Sequence, residues 1–193
     1  IFFEYDGRLY QKRLNLIGGF QAQNVLMAAA LVISLGSDPQ DVFSVLHNLL
    51  TVKGRMELAA SRANGANVFI DYAHTPDALE TAITSLRPHV FGRIIAVIGA
   101  GGDRDQSKRP LMGLAASKNA DVVIVTDDNP RGEDPAKIRQ MIIQGIGPGI
   151  SHECGDRAEA ILRAVDMLDV GDALLICGKG HETGQVIGED VFP

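Results

Sequence analysis

The chain has 193 residues, of which 46% are hydrophobic and 22% are charged, a composition typical of a globular protein with one full core and part of a second. Its formal net charge of -6 and the lack of a dense Lys/Arg stripe exclude the electrostatic pattern of a nucleic-acid binder. The longest apolar run, residues 25–33, is far shorter than the roughly 20 residues of a membrane span. No signal peptide opens the chain, so we expect no membrane partner and a cytoplasmic location.

The first fifty residues predict an incomplete domain. A β-hairpin is expected around Asp6-Gly7, followed by an Ala-rich helix over residues 20–35 and a second helix from Pro39 to about Leu50. The chain begins without Met, which suggests a piece of a longer protein. We place the domain boundary between residues 52 and 53, where the helical pattern ends.

From residue 53 onward, short apolar runs alternate with helical segments. The runs are those of strands buried on both faces, at residues 68–70, 94–98, 122–125 and 173–177, with a weaker strand at 150–152. Helix starts are expected at Thr75, Ser107, Asp134 and Asp156, the last through a capping-box-like pair with Glu159. This alternation predicts a doubly wound, mostly parallel, Rossmann-like α/β sheet.

Each strong strand is followed by a polar cluster. The clusters occupy residues 71–74, 99–105, 127–131 and 178–182. In open parallel sheets ligands bind at the carboxyl edge, so these four segments are expected to meet on one surface. The third is the most specific, because Asp127, Asp128, Asn129 and Arg131 lie within five positions around Pro130. Such a group suits a small molecule that carries both an ammonium and a carboxylate, which Arg131 can hold with two hydrogen bonds.

Simpler interpretations compete with ligand binding at several positions. The glycines of residues 99–102 satisfy neither the dinucleotide fingerprint nor a Walker motif, and they are equally consistent with a tight turn. Residues 104–109 are either a solvated helix start or ligand contacts, and their strand-end position favours contacts. His74 is predicted to be functional because it lies in a loop after a strand, whereas Asp71 is also consistent with capping the turn into Thr75.

Cys154 and Cys177 show no CxxC spacing and no paired His ligands. Buried free thiols are therefore predicted, and no metal site is predicted in this chain.

Five ordered motifs resemble those of the Mur ligases. They are GRMEL at residues 54–58, DYAHTPDALE at 71–80, GAGGDRDQSKRPLMG at 99–113, DNPRGEDP at 128–135 and GKGHE at 178–182. The resemblance implies an ATP-dependent amide-bond ligase of peptidoglycan synthesis that works with Mg²⁺ through an acyl phosphate. The implied partners are ATP, a UDP-MurNAc-dipeptide and meso-diaminopimelate, for a protein that acts as a monomer. Residues 1–52 would be the end of the central ATPase domain, and residues 53–193 the amino-acid-binding domain.

The resemblance also assigns residues. The positions that would bind diaminopimelate are Arg104, Asp128, Asn129, Arg131, Gly178 and Glu182. Those that would line the nucleotide are Arg55, Asp71, Tyr72 and His74. Diaminopimelate differs from lysine by a carboxylate on the distal carbon, which Arg131 can pair with, and family members that add lysine typically replace this Arg.

Some family features are not found in these residues. No GxxGK[ST] phosphate loop and no candidate for a metal-binding modified lysine occur, so no catalytic residue is assigned and the chain alone is not expected to be active. Two alternatives stay open. One is a sister ligase, such as a lysine-adding enzyme or a folylpolyglutamate synthetase. The other is a non-catalytic nucleotide- or amino-acid-binding module.

Overall fold

The computed structural model describes residues 1–192. Contacts between residues divide the chain into two compact units, Ile1–Val52 and the remainder from Lys53 onward.

The first unit consists of a β-hairpin and two helices. Strands β1 (Phe2–Tyr5) and β2 (Arg8–Gln11) pair antiparallel around a turn in which Asp6 and Gly7 both have positive φ, as the Asp-Gly sequence predicts. Helix α1 spans Gly19–Ser34, and helix α2 spans Pro39–Val45 and continues as a short 3-10 turn to Asn48. The core of this unit is built around Phe43, whose ring meets those of Phe3 and Tyr10.

The second unit is built on a six-stranded sheet. Its strands are β3 (Glu57–Ser61), β4 (Asn67–Ile70), β5 (Ile94–Ile98), β6 (Val122–Val125), β7 (Ser151–Glu153) and β8 (Ala173–Ile176). The spatial order is β3-β4-β8-β5-β6-β7, with β3 antiparallel to β4 and every other pair parallel. The predicted α/β fold class is confirmed.

The helices of this unit begin where the sequence predicts. They are α3 (Pro76–Leu86), α4 (Lys108–Asn119), α5 (Pro135–Ile143) and α6 (Arg157–Asp166). Thr75, Asp134 and Asp156 accept hydrogen bonds from backbone N–H groups of the first turns of α3, α5 and α6. Ser107 precedes α4 but makes no side-chain cap.

Helices cover both faces of the sheet. Ala160 and Ala164 of α6 join a buried cluster with alternate residues of the parallel strands, among them Val97 and Ile124. Helices α3, α4 and α5 pack side by side and contribute nothing to that cluster, which places them on the opposite face. This two-sided burial leaves the ends of the strands as the places where polar loops collect.

Sequence analysis did not predict three of the strands. The antiparallel edge strand β3 lies in a mostly exposed segment, and its pairing with β4 contains an irregularity between Leu58 and Ala60. Strands β9 (Gln185–Ile187) and β10 (Asp190–Phe192) form a small separate hairpin near the end of the chain. None of the helices in residues 1–192 is long and apolar enough to cross a lipid bilayer.

Candidate functional site

A cavity of about 220 Å³ lies at the carboxyl ends of the parallel strands. Strands β4, β8, β5 and β6 are consecutive neighbours in the sheet, and the four predicted polar segments follow these four strands. The cavity receives residues from all four segments, and Lys108 of α4 joins them: Tyr72, His74, Gly99, Ala100, Gly101, Arg104, Lys108, Asp128, Asn129, Arg131, Gly178 and Glu182. The structure thus brings the four distant motifs together on one surface, as predicted.

Arg131 is held by its backbone and by one side of its guanidinium group. Its φ of +51° lies in the left-handed region, which is unfavourable for a residue with a Cβ. The Arg131 N–H donates to Val186 O at 3.2 Å, and Arg131 O accepts from the Gly188 N–H at 2.8 Å, so the hairpin β9–β10 braces this residue. Nη1 donates to Gly102 O at 3.0 Å and to Asn129 O at 3.3 Å. The guanidinium group is therefore positioned on the cavity wall before any ligand arrives.

Two further cations line the cavity. Arg104 donates through Nη1 to the neighbouring Asp103 O at 3.0 Å. Lys108, in the first turn of α4, donates to His74 O at 3.0 Å. With Arg131, these side chains supply positive charge that suits a carboxylate or a phosphate.

Asp128 is a buried carboxylate of the cavity lining. It is 8% exposed, and its Oδ1 lies 3.9 Å from Lys179 Nζ. Gly178 has a φ of +107°, and a Cβ at this position would stand 2.6 Å from Asp128 Oδ2. The loop after β8 thus approaches the carboxylate closely, and the positive φ of Gly178 favours glycine at this position.

Asn129 joins this carboxylate region to the loop after β8. Its Nδ2 donates to Glu182 Oε2 at 3.0 Å, while its Oδ1 accepts from Lys179 Nζ and from the Val186 N–H, both at 2.8 Å. Lys179 also lies 3.6 Å from Glu182 Oε2. Burial lowers the pKa of Lys179, and the charges of Asp128 and Glu182 oppose that shift. The amide of Asn129 therefore orients the charged groups around it.

The predicted nucleotide residues form a cluster around Tyr72. The Arg55 guanidinium lies 4.5 Å from the centre of the Tyr72 ring, and the His74 ring meets that ring edge-on at 4.8 Å. The Tyr72 hydroxyl donates to Glu182 Oε1 at 3.4 Å, so this cluster adjoins the carboxylate end of the cavity. Tyr72 and His74 line the cavity, whereas Arg55 lies beside it.

Asp71 lies behind this cluster and not in the cavity lining. It is 7% exposed, its Oδ2 accepts from the Met56 N–H and its Oδ1 from the Ala73 N–H, both at 2.8 Å. Burial raises the pKa of Asp71, and these two backbone donors oppose the rise. The Ala73 contact is the turn cap that the simpler interpretation of Asp71 expected, the Met56 contact joins a second loop to it, and Thr75 caps α3 as predicted.

The prediction for Arg109 was wrong, because sequence analysis expected this residue to be solvated or to contact the ligand. Its side chain is 1% exposed and forms two hydrogen bonds with Glu133, from Nη1 to Oε2 at 2.8 Å and from Nη2 to Oε1 at 2.7 Å. The Arg109 guanidinium holds the pKa of the Glu133 carboxyl at about 2. The strand-end position had suggested a ligand contact, but the first turn of α4 aims this residue at the loop before α5.

The charged groups of the cavity form two sets. Arg104 and Arg131 both lie next to Gly101 and are called the cationic end, whereas Asp128 and Glu182, 3.9 and 3.6 Å from Lys179 Nζ, are called the anionic end. A zwitterionic amino acid matches this arrangement, because its carboxylate and its ammonium would each meet a group of the opposite sign. Among residues 1–192 no group of three or more His, Cys, Asp or Glu side chains could hold a metal ion, and we assign no metal ligand here.

Comparison with known proteins identifies the family of the chain. The sequence pattern of the family described as "Mur ligase, glutamate ligase domain" matches residues 54–180. The chain belongs to the Mur ligase family. The match covers the sheet from just before β3 to the loop after β8, and so includes every strand that supplies the cavity.

Curated relatives in this family are similar to the chain over almost its whole length. One from Bradyrhizobium diazoefficiens, named UDP-N-acetylmuramoyl-L-alanyl-D-glutamate--2,6-diaminopimelate ligase, is 52% identical over 98% of this chain and 39% of its own length. A relative of the same name from Caulobacter vibrioides is 49% identical over the same shares. The chain thus spans about 39% of the length of the curated relatives that it matches.

Solved structures of Mur ligases and of a related enzyme share the fold. A structure titled as that same ligase is 38% identical, with a TM-score of 0.71 over 97% of this chain and 38% of the other. A Mycobacterium tuberculosis folylpolyglutamate synthase, complexed with ADP and AMPPCP, is 25% identical, with a TM-score of 0.70 over 88% of this chain and 40% of the other.

Eight of the ten predicted site residues line the cavity, and the exceptions are Arg55 and Asp71. Sequence reasoning assigned no role to Lys179, although its place between two glycines after β8 was a usable signal. Glu133 carried no such signal, because its partner lies 24 positions away. Cys154 and Cys177 are free and buried, as predicted, and burial raises the pKa of both thiols.

Proposed function

We propose that this chain is the amino-acid-binding part of an ATP-dependent ligase of peptidoglycan synthesis. The ligase would join meso-diaminopimelate to UDP-MurNAc-L-Ala-D-Glu, in the cytoplasm and as a monomer. The observation that carries the proposal is a single cavity lined both by Arg131 and by the carboxylates Asp128 and Glu182. The names of relatives about 50% identical support the same substrate.

The distal centre of diaminopimelate carries a carboxylate and an ammonium side by side. Arg131, with support from Arg104, would receive the carboxylate through charge-assisted hydrogen bonds. Asp128 and Glu182 would receive the ammonium. Lysine has the ammonium but not the distal carboxylate, so it would leave the cationic end desolvated and unpaired, which is costly. Selection would thus depend on Arg131.

In this proposal the second amino group of diaminopimelate is the nucleophile. It attacks a D-glutamyl carboxylate that ATP has activated as an acyl phosphate, and the attack passes through a tetrahedral intermediate. The residues of this chain hold the amino acid so that the nucleophile points out of the cavity, which supplies proximity and orientation rather than bond-making chemistry. Mg²⁺ would neutralise phosphate charge, and no residue of this chain is assigned to it.

The cluster of Arg55, Tyr72 and His74 is proposed to border the nucleotide. Tyr72 offers a ring for stacking, and the Arg55 guanidinium that lies over it offers a cation for a phosphate or ribose oxygen. A related structure solved with ADP and AMPPCP supports a nucleotide site in this architecture. The unit Ile1–Val52 is proposed to be the end of the central ATPase domain.

A ligation assay with a panel of amino acids tests the proposal. Full-length enzyme, ATP, Mg²⁺ and UDP-MurNAc-dipeptide are supplied with meso-diaminopimelate, lysine, ornithine or glutamate, and phosphate release is measured. The proposal expects clear preference for diaminopimelate. Preference for lysine would indicate a sister Mur ligase, and preference for glutamate with a folate acceptor would indicate a folylpolyglutamate synthetase. No amino-acid-dependent phosphate release would indicate a binding module.

A further inference from the structure

The Arg109–Glu133 ion pair lies behind the cavity and not in its lining. The guanidinium of Arg109, in the first turn of α4, meets the carboxylate of Glu133, in the loop before α5, through two hydrogen bonds of 2.8 and 2.7 Å. Two parallel N–H···O bonds fix direction as well as distance. The pair is therefore a rigid joint between two elements that both border the cationic end of the cavity.

Each partner also holds the backbone of the glycine-rich loop after β5. Arg109 Nη2 donates to Gly101 O at 3.2 Å, and Glu133 Oε1 accepts from the Asp103 N–H at 2.6 Å. Asp103 returns the contact, since its Oδ2 accepts from the Gly132 N–H at 3.0 Å. The two loops are thus joined by a closed set of hydrogen bonds with the ion pair at its centre.

This set encloses two residues in an unfavourable backbone conformation. Asp103 and Arg131 have φ values of +52° and +51°, and one lies in each loop. Residues with a Cβ keep such a conformation only where the surrounding contacts impose it. Arg104 follows Asp103 directly, so the joint supports the backbone next to both cavity guanidinium groups, in addition to the hairpin that holds Arg131.

We propose that Arg109 and Glu133 are positioning residues for amino-acid selection. By locking the two loops together they determine where the guanidinium groups of Arg104 and Arg131 stand in the cavity. The inference rests on the proposed function, because it takes these two arginines to receive the distal carboxylate of the incoming amino acid.

The anionic end of the cavity, Asp128 and Glu182, provides an internal reference for the effect of the ion pair on binding. The contacts that the structure describes for Asp128 and Glu182 involve Lys179, Asn129 and Tyr72, and not the ion pair. A loosened pair should therefore weaken binding of a carboxylate at the cationic end and leave binding of an ammonium at the anionic end unchanged. A merely structural role would weaken both.

The test uses full-length enzyme with the substitutions R109K, E133D and E133Q. KM and kcat are measured for meso-diaminopimelate, for lysine as a substrate without the distal carboxylate, and for ATP. We expect the diaminopimelate kcat/KM to fall by up to about 100-fold, the cost of a displacement of about 1 Å, with a rise in its KM. The KM values for lysine and ATP should stay as in the wild type. R109K and E133D keep the charge, so they provide folded enzyme if E133Q does not fold.

A control ion pair lies at the amino ends of the parallel strands. Arg93 donates to Oδ2 of Asp172 from Nε at 3.0 Å and from Nη2 at 2.7 Å, and the Asp172 side chain is 3% exposed. Asp172 precedes β8 and Arg93 precedes β5, so this pair is far from the carboxyl ends of the strands. The variant R93K should lower the melting temperature without changing the ratio of diaminopimelate to lysine efficiency.

The variant R131K separates this inference from the proposed function. A fall of the diaminopimelate-to-lysine ratio in R131K, R109K and E133D, with R93K unchanged, supports both. A fall in R131K alone overturns the positioning role and leaves the proposed function intact. An equal rise of all KM values in R109K and R93K also overturns the positioning role. An unchanged ratio in R131K overturns the proposed diaminopimelate selectivity itself.

Discussion

The ion pair behind the cavity predicts an asymmetry between its two partners. The substitution E133Q leaves the Arg109 charge in a position where its side chain is 1% exposed, facing a neutral amide. One hydrogen of that amide must also point at the N–H of Arg109 or at that of Asp103. Removing the acid of a buried pair in this way costs about 3–5 kcal/mol. We therefore expect a large loss in the free energy of unfolding.

The substitution R109M should cost less. It leaves Glu133 22% exposed, still accepting from the Asp103 N–H at 2.6 Å and from the Gln106 side chain at 3.2 Å. It also removes Arg109 Nε, a buried N–H that has no acceptor within residues 1–192. R109M loses the contact with Gly101 O and the attraction that lowers the pKa of Glu133, but solvent at the partly exposed carboxylate screens that attraction, so we expect a cost of roughly 1–2 kcal/mol.

Urea unfolding of the full-length protein, followed by far-ultraviolet circular dichroism, measures both values. With an m-value of about 2 kcal/mol/M, a difference of about 2 kcal/mol moves the two unfolding midpoints about 1 M apart. R93M, which removes the half-exposed partner of Asp172, serves as a control for an ion pair outside the cavity. Equal losses for E133Q and R109M, or a larger loss for R109M, would refute the reasoning from burial.

Other contacts in the second unit lead to three further predictions. The pKa of Glu133 in the folded protein is about 2, below the ordinary value of about 4.3. The stabilisation from its ion pair is therefore complete above the ordinary pKa and disappears as pH falls toward 2. The free energy of unfolding, measured against pH, should show this loss in the wild type and not in E133Q, and identical slopes for the two proteins would contradict it. At Gly54 φ is +70° and a Cβ would stand 2.5 Å from Gly180 C. The substitution G54A should therefore lower the free energy of unfolding, measured in urea, by about 1–3 kcal/mol. An unchanged free energy of unfolding would count against this packing. The substitution N129D brings a carboxylate to within 3.0 Å of Glu182 Oε2 and should lower the free energy of unfolding by about 1–3 kcal/mol. The double variant N129D/E182Q should recover much of that loss of stability, and no recovery would exclude charge repulsion as its cause.

The set of segments that forms the cavity could be predicted because it follows from the order of apolar runs and polar clusters in the sequence. Continuous apolar runs identify buried parallel strands, and parallel strands bring the loops at their carboxyl ends to one edge of the sheet. This reasoning brought Tyr72, Arg104, Asp128 and Gly178 together although they come from four separate segments. Neither the strand order nor any contact distance was needed.

The contacts that support the cavity could not be predicted in the same way. Arg109 and Glu133 are each ordinary residues near a helix start, and only the packing of α4 beside α5 reveals them as partners. The hairpin β9–β10 consists of two three-residue strands, too short for a periodic pattern, yet it braces Arg131 through its backbone. Long-range pairing of this kind is specified by the fold and not by local sequence.

Calorimetry on the full-length protein tests the central claim most directly. Binding of meso-diaminopimelate and of lysine is measured in the presence of UDP-MurNAc-dipeptide and a non-hydrolysable ATP analogue, for the wild type and for R131K. A hydrogen-bonded pair between Arg131 and the distal carboxylate is worth about 1.5–3 kcal/mol, so the wild type should prefer diaminopimelate by about 10- to 100-fold, and R131K should lose most of this preference. Equal affinity of the wild type for the two amino acids would contradict the account.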